Sequence, residues 1–191
     1  VKYPGVYPIH PFSTVITGLI QAGGVDTTGS LRNIQIKRDG SIDITIDLYD
    51  YLLKGDLPKN IQLRDQDIIV IPVRLSTVAV DSAVVRPGIY ESKPGETVKQ
   101  IINYAGGLKP DAAQYIGLKR IVPLEKRKFS LSNIENYYIN YKNSQLTLIQ
   151  NGDIITVRKI FQTVNQVEII GQVKKPGLYH YYAGMKLKDL I

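Results

Sequence analysis

The 191-residue chain has no cysteine, one methionine and two histidines. Without cysteine there can be no disulfide, no Cys-x-x-Cys redox pair and no thiolate metal site. With only His10 and His180 there is no His-Glu-x-x-His zinc helix, and no Gly-x-Ser-x-Gly nucleophile elbow occurs. No catalytic role, metal or cofactor is therefore expected. Long apolar runs are missing too: the longest lies near Ile68-Ile69-Val70-Ile71, whereas a membrane-spanning helix needs roughly 20 residues. Val1 is not followed by a charged n-region and an apolar h-region, so no secretory signal is visible. A chain that opens inside a repeat is expected to be an excised piece.

What is present is the composition of a folded chain, 43% hydrophobic and 21% charged. The formal net charge of +7 biases association towards nucleic acid, anionic lipid or acidic polysaccharide without choosing among them. No recognised nucleic-acid reader motif accompanies it, so nucleic acid is not an expected partner.

The strongest signal is internal repetition. Pro4-Gly5-Val6-Tyr7, Pro87-Gly88-Ile89-Tyr90 and Pro176-Gly177-Leu178-Tyr179 head three copies of one unit. Gly23-Gly24 and Gly106-Gly107 recur at the offset of the first two motifs (87 − 4 and 106 − 23 are both 83). The later runs Asp67-Ile68-Ile69 and Asp153-Ile154-Ile155 are offset by 86 (153 − 67), a net insertion of three residues in the second copy. The expected modules are residues 1–73, which lack a first strand, residues 74–160, and residues 161–191 as the start of a third.

Within a unit, Pro-Gly followed by an apolar residue and Tyr reads as a type II turn between strands, with glycine accepting positive φ. Thr97 is a candidate N-cap, and Val98, Ile101, Ile102 and Ala105 fall at i, i+3, i+4 and i+7, the stripe of a short helix that Gly106 ends. Thr14, Val15, Leu19 and Ala22 repeat the pattern, with Gly18 in place of one core side chain. Ile34 and Ile36, the turn Asp39-Gly40, and Ile42, Ile44 and Ile46 read as a hairpin with one buried face. A helical patch from Leu48 to Leu53 should stop at Gly55. Two strands, a helix, two strands and a last strand is the order of a β-grasp. The expected class is α+β, a tandem of ubiquitin-like rolls with a mixed sheet packed on one short helix.

The Val-x-x-Pro-Gly-x-Tyr start, the capped helix, Ala105-Gly106-Gly107 and Gly152-Asp153-Ile154-Ile155 resemble the soluble-ligand-binding β-grasp (SLBB) domains found in tandem in bacterial outer-membrane polysaccharide export proteins of the Wza type. Residues 1–7, Ala22-Gly23-Gly24 and residues 167–179 carry the same pattern. The N-terminal motif domain, the lipid-anchored cysteine and the C-terminal membrane helix of that family have no counterpart here. The resemblance implies a periplasmic, outer-membrane-associated segment of a ring-forming export protein. Self-assembly, a polysaccharide and inner-membrane export machinery are the implied partners. An alternative from the same module type is a receptor for a compact ligand, cobalamin-like or a sugar, which a deep apolar pocket between modules would favour.

Several side chains are candidates for contact with ligand or partner. Tyr90, like each motif tyrosine, either stacks on a sugar or covers the core. Tyr179, Tyr181 and Tyr182, with Lys174 and Lys175, form the sharpest cluster, and Arg86 adjoins the second motif. Strand alternation would send Tyr179 and Tyr181 to one face and Tyr182 to the other. Tyr137, Tyr138 and Tyr141 have a spacing that a short helix would place partly on one face. Lys126-Arg127-Lys128, beside Lys119 and Arg120, could bind an acidic polymer but read first as solvated charge on a hairpin, and Asp67 and Asp153 read as turn-formers. Pro4, Gly5, Gly23, Gly24, Pro87, Gly88, Gly106, Gly107, Pro176 and Gly177 are assigned to the backbone of the motif.

Overall fold

The computed structural model describes residues 1–56, 62–127, 133–160, 166–169, 174, 177–182 and 184–189. Lys175 and Pro176 lie outside them.

The helices form where caps and stripes coincide. Thr14 and Thr97 hold extended backbone, and their hydroxyls accept the N–H of Thr17 and Gln100. The Gln100 carbonyl accepts the Thr97 N–H in return at 2.8 Å, closing a capping box. The resulting helices are α1 (Val15–Gln21) and α3 (Val98–Tyr104). Helix α3 buries Val98, Ile101 and Ile102, each of which contributes roughly 1.5–3 kcal/mol by leaving water. Helix α1 buries Val15 and Leu19. At Gly18 a Cβ would sit 3.2 Å from both Ile69 and Leu63, so those two side chains fill the space that Ile101 fills in the second copy. Gly23 and Gly106 end the helices at φ +77° and +82°.

In the first copy, β1 (Ile34–Arg38) pairs antiparallel with β2 (Ser41–Ile46) across the left-handed Asp39-Gly40 turn, and with β3 (Ile68–Val70) on its other side. Helix α2 (Tyr49–Lys54) ends at Gly55, φ +81°. In the second copy, β4 (Thr77–Ser82) and β5 (Gly88–Glu91) form a hairpin. Beyond α3 come β6 (Ala112–Ile121), β7 (Ile134–Asn140) and β8 (Ile154–Lys159). The sheet order is β5-β4-β8-β6-β7, with β4 and β8 parallel and the other pairs antiparallel. This is a mixed sheet curled over α3. Strands β6, β7 and β8 correspond to β1, β2 and β3. A further hairpin, β9 (Gln166–Ile169) with β10 (Gly177–His180), repeats the β4–β5 hairpin.

The repetition extends to single hydrogen bonds. Tyr3 N–H donates to Ala22 O at 2.9 Å, and Arg86 N–H to Ala105 O at 2.8 Å. Lys2 N–H to Gly24 O and Val85 N–H to Gly107 O are both 3.1 Å. Residues 1–7 therefore sit on α1 as residues 84–90 sit on α3.

Three expectations need correction. Neither Gly5 nor Gly88 has a left-handed φ; Ser82 does, at +76°, so the chain reverses earlier than a type II Pro-Gly turn requires. Gly88 already stands in the β5 ladder opposite Val80. Tyr137 and Tyr138 lie on strand β7, not on a helix, and so face opposite sides of the sheet, while Tyr141 opens a short 3-10 turn. Lastly, the net insertion hides an exchange. Ile46 and Ile139 are offset by 93 (139 − 46), because the β6–β7 connection is long. The segment replacing α2 is shorter, and the offset returns to 86.

Candidate functional site

The most elaborate polar arrangement lies where the two copies meet, and it is centred on Arg32. This residue, two before β1, is 5% exposed. Its Nη1 donates to Glu96 Oε2 at 2.8 Å and to Glu91 O at 3.2 Å, and its Nε donates to Asp47 Oδ2 at 3.1 Å. The guanidinium centre lies 4.6 Å from the ring centroid of Tyr49 and 5.1 Å from that of Tyr104, a cation–π contact with each copy. The two rings meet edge to face at 5.3 Å. Tyr104 Oη donates to Glu96 Oε1 at 2.6 Å, and Tyr49 Oη accepts the Glu91 N–H at 2.7 Å. Glu91 crosses in the other direction, its carboxylate accepting Ser30 Oγ–H at 2.5 Å and Leu31 N–H at 2.8 Å. Lys93 closes the rim on Asp47 at 2.8 Å.

Burial alone would lower the pKa of Arg32, but the Glu96 hydrogen bond and the Asp47 charge more than offset it, so the guanidinium is held charged. Burial likewise opposes ionisation of Asp47 and Glu96. Lys93 and the Tyr49 N–H bring Asp47 below its ordinary value, and Arg32 and Tyr104 do the same for Glu96. Burial and the Glu96 bond push the Tyr104 hydroxyl up to about 12. Among the described residues every buried side-chain polar atom has a partner. The arrangement is a fully paired polar joint between the two copies.

Asp67 and Asp153 do form turns, accepting the N–H groups of Arg64 and Gln150 at 2.8 Å each. Each also holds an arginine from the neighbouring strand. Arg38 Nε meets Asp67 at 2.7 Å, and Arg120 Nη2 meets Asp153 at 2.7 Å. The same two guanidiniums donate to Gln62 O and Leu148 O. Arg120 is thus an internal clasp, which corrects its reading as solvated charge.

The motif tyrosines close their own turns: Tyr7 Oη donates to Tyr3 O at 2.6 Å and Tyr90 Oη to Arg86 O at 2.5 Å. The Tyr90 ring is half-buried against the second core, and burial raises its pKa. Arg86 is exposed, with Nη2 on Tyr104 O at 3.3 Å. Tyr179 stands half-buried on β10 opposite Val167. Strand β10 ends at His180, so alternation does not extend to Tyr181 and Tyr182, both exposed, as is Lys174.

A cleft of about 1490 Å³ opens in the first copy between residues 1–11 and the β3 edge, lined among others by Val1, Leu19, Leu63 and Ile69. Among the described residues no group of three or more His, Asp or Glu could hold a metal ion, and no helix is long and apolar enough to cross a membrane.

Family models for the SLBB domain match residues 1–71 and, in a second model, residues 77–123 and 166–191. The chain is a tandem of SLBB domains. It is similar to the polysialic acid transport protein KpsD of Escherichia coli, 30% identical over 159 residues, which is 82% of this chain and 26% of that protein. It is also similar to the EPS I polysaccharide export outer membrane protein EpsA of Ralstonia nicotianae, 34% identical over 114 residues, 58% of this chain and 30% of that protein. The chain thus spans about a quarter of the length of KpsD. The second SLBB model begins at Thr77 and resumes at Gln166, the first residues of β4 and β9.

The sequence reading of the SLBB repeat missed the joint altogether. Arg32, Tyr49, Glu91, Glu96 and Tyr104 belong to no motif and come together only when two copies pack. The one hint was an arginine two residues before a strongly alternating strand.

Proposed function

We propose that this chain is a non-catalytic SLBB segment of a capsular or exopolysaccharide export protein. Its three modules, bounded near residues 1–73, 74–160 and 161–191, act by positioning one another and their neighbours in a ring. Both relatives are named for polysaccharide transport or export, and the similarity to KpsD runs through both copies; that observation carries the reading. A joint that fixes one module against the next suits a wall element whose job is geometric. On this reading the carrier protein works in the periplasm in association with the outer membrane and meets inner-membrane export machinery. Tyr181, Tyr182 and Lys174, exposed beside the β9–β10 hairpin, together with Lys175, Arg86, Tyr90 and Tyr179, are the side chains assigned to polymer or to a neighbouring subunit.

A compact-ligand receptor would want its pocket between modules. There, Arg32 and its two tyrosines already fill the space. The test is deletion of the encoding gene with assay of surface polysaccharide. Loss of surface polymer, restored by the intact gene, is expected; unchanged surface polymer would refute the proposal.

A further inference from the structure

The sheet of the second copy packs one face on its core. Ile116, Leu118, Ile155 and Val157 turn into that core with α3, so strand alternation turns Tyr115, Gly117, Lys119, Thr156 and Arg158 the other way, together with Tyr138 on β7. Gly117 stands opposite Tyr138 on one side and opposite Thr156 on the other. Tyr138 is 70% exposed and Tyr115 58%. A glycine inside a strand marks a bulge, a bend or the close approach of another group. Gly117 is in regular register with both neighbouring strands, its φ is not left-handed, and a Cβ there would meet nothing nearer than Thr156 O at 3.7 Å. Neither backbone nor packing requires glycine at this place. Its missing side chain leaves a notch bordered by an exposed tyrosine.

The first copy shows the same place without a notch. Gln35 holds the position of Gly117, opposite Thr45 on β2 and Val70 on β3. Between the copies a threonine has become Tyr138, a glutamine Gly117 and a valine Thr156. None of the three exchanges serves the core, which lies on the opposite face. They supply an aromatic surface, open space beside it and a hydroxyl, the set that holds a sugar ring: its C–H face packs on an aromatic side chain while its hydroxyls find polar partners. Charge narrows the class further. Lys119 and Arg158 are exposed, and among the described residues neither takes part in an ion pair. No carboxylate stands on this face of β6, β7 or β8. Asp81, opposite Thr156 on β4, already accepts the Ser82 N–H at 2.6 Å. Lys119 lies two residues along β6 from Gly117, about 7 Å away.

We propose that this face of the second copy binds an acidic polysaccharide, with one sugar ring seated over Gly117 against Tyr138 and the acidic groups of the polymer met by Lys119 and Arg158. The class of ligand rests on the export reading, to which the face adds the place of contact and the sign of the polymer's charge. The first copy, with Gln35, Thr45 and Val70 in the same row, has no such site.

The test is titration of the 15N-labelled chain with galacturonate and hyaluronan oligosaccharides, and with maltooligosaccharides as the neutral counterpart, while amide resonances are followed. The expected result is saturable shifts centred on Gly117, Lys119, Tyr138 and Thr156 with at least one acidic probe, and binding of the neutral probe weaker by roughly tenfold or more. Gly117→Gln, which restores the side chain of the first copy, and Tyr138→Ala should each weaken acidic binding roughly tenfold without lowering the melting temperature, since both positions lie off the core. Lys119→Gln should weaken the acidic probe alone and reduce its dependence on salt. Absence of saturable shifts on this face with both acidic probes would overturn the proposal. So would equal binding of the neutral probe, or binding that Gly117→Gln and Tyr138→Ala leave unchanged. Shifts at the same residues that follow protein concentration and not sugar would mean that another copy covers the face, and would overturn it too. Because binding is read on the purified chain, failure here leaves the gene-deletion result standing, and unchanged surface polymer in the deletion leaves this binding measurement standing.

Discussion

A buried guanidinium is costly to desolvate, and Arg32 is retained because two carboxylates, a carbonyl and two aromatic faces meet it together. Arg32→Ala leaves Glu96 without its cation and Asp47 with Lys93 alone, and should cost about 3–5 kcal/mol, read as a lowered urea midpoint. Arg32→Lys should recover little of it, since an ammonium cannot reproduce the planar contact with Tyr49 and Tyr104. The same groups set the pH limits. Asp47, Glu96 and Asp67 are held below their ordinary values, so the unfolded chain takes up protons first as the solution is acidified. Their contribution is complete above about pH 5 and is lost as pH falls through the ordinary and then the folded values. Tyr104 works in the opposite sense, its contribution falling away as pH rises from about 10 towards the folded value of about 12. Melting temperature against pH should decline on both sides, and Glu96→Gln should flatten the acid limb. At this scale the sequence was least legible. Arg32 reaches partners 59 to 72 positions away, a distance over which no local pattern operates. The clasp of Arg38 on Asp67 and of Arg120 on Asp153 could have been found, since both members recur between the copies.

Elements were more legible, because their causes are local. Thr14 and Thr97 cap helices that apolar stripes predict, and Asp39-Gly40 makes the hairpin that its alternating flanks require. Strand β7 was missed because Tyr137 and Tyr138 are adjacent and flanked by Asn136 and Asn140, so no alternation marks it. The double glycine after each helix separates two effects. At Gly106 a Cβ would adopt φ +82° and sit 3.0 Å from Val85 Cβ, whereas at Gly107, φ +86°, it would meet nothing within 4 Å. Gly107→Ala should therefore cost only the left-handed strain, about 1 kcal/mol. Gly106→Ala adds a clash to the same strain and should cost more, roughly 2–3 kcal/mol. Chemical denaturation of the two variants in parallel checks the order, and Gly23→Ala, 2.7 Å from Tyr3, should resemble Gly106→Ala.

For the whole molecule, repetition made the fold readable and symmetry hid what is particular. Each copy could be laid out from its own residues, down to Gly18 ceding space to Leu63 and Ile69. Nothing in either copy alone tells how two of them pack. The position of Arg32 corresponds to Gln114 in the second copy (82 positions on, as Leu118 is from Ile36 by β register), so the charged joint belongs to the first pair of modules. The central claim is that this pair is one rigid body held by Arg32. It is tested by spin labels at Ile20→Cys and Tyr138→Cys, exposed sites on the first and second modules, with the distance between them measured by pulsed electron resonance. The account predicts one narrow distance distribution that Arg32→Ala broadens. A broad distribution in the otherwise unaltered chain, indifferent to Arg32→Ala, would contradict it.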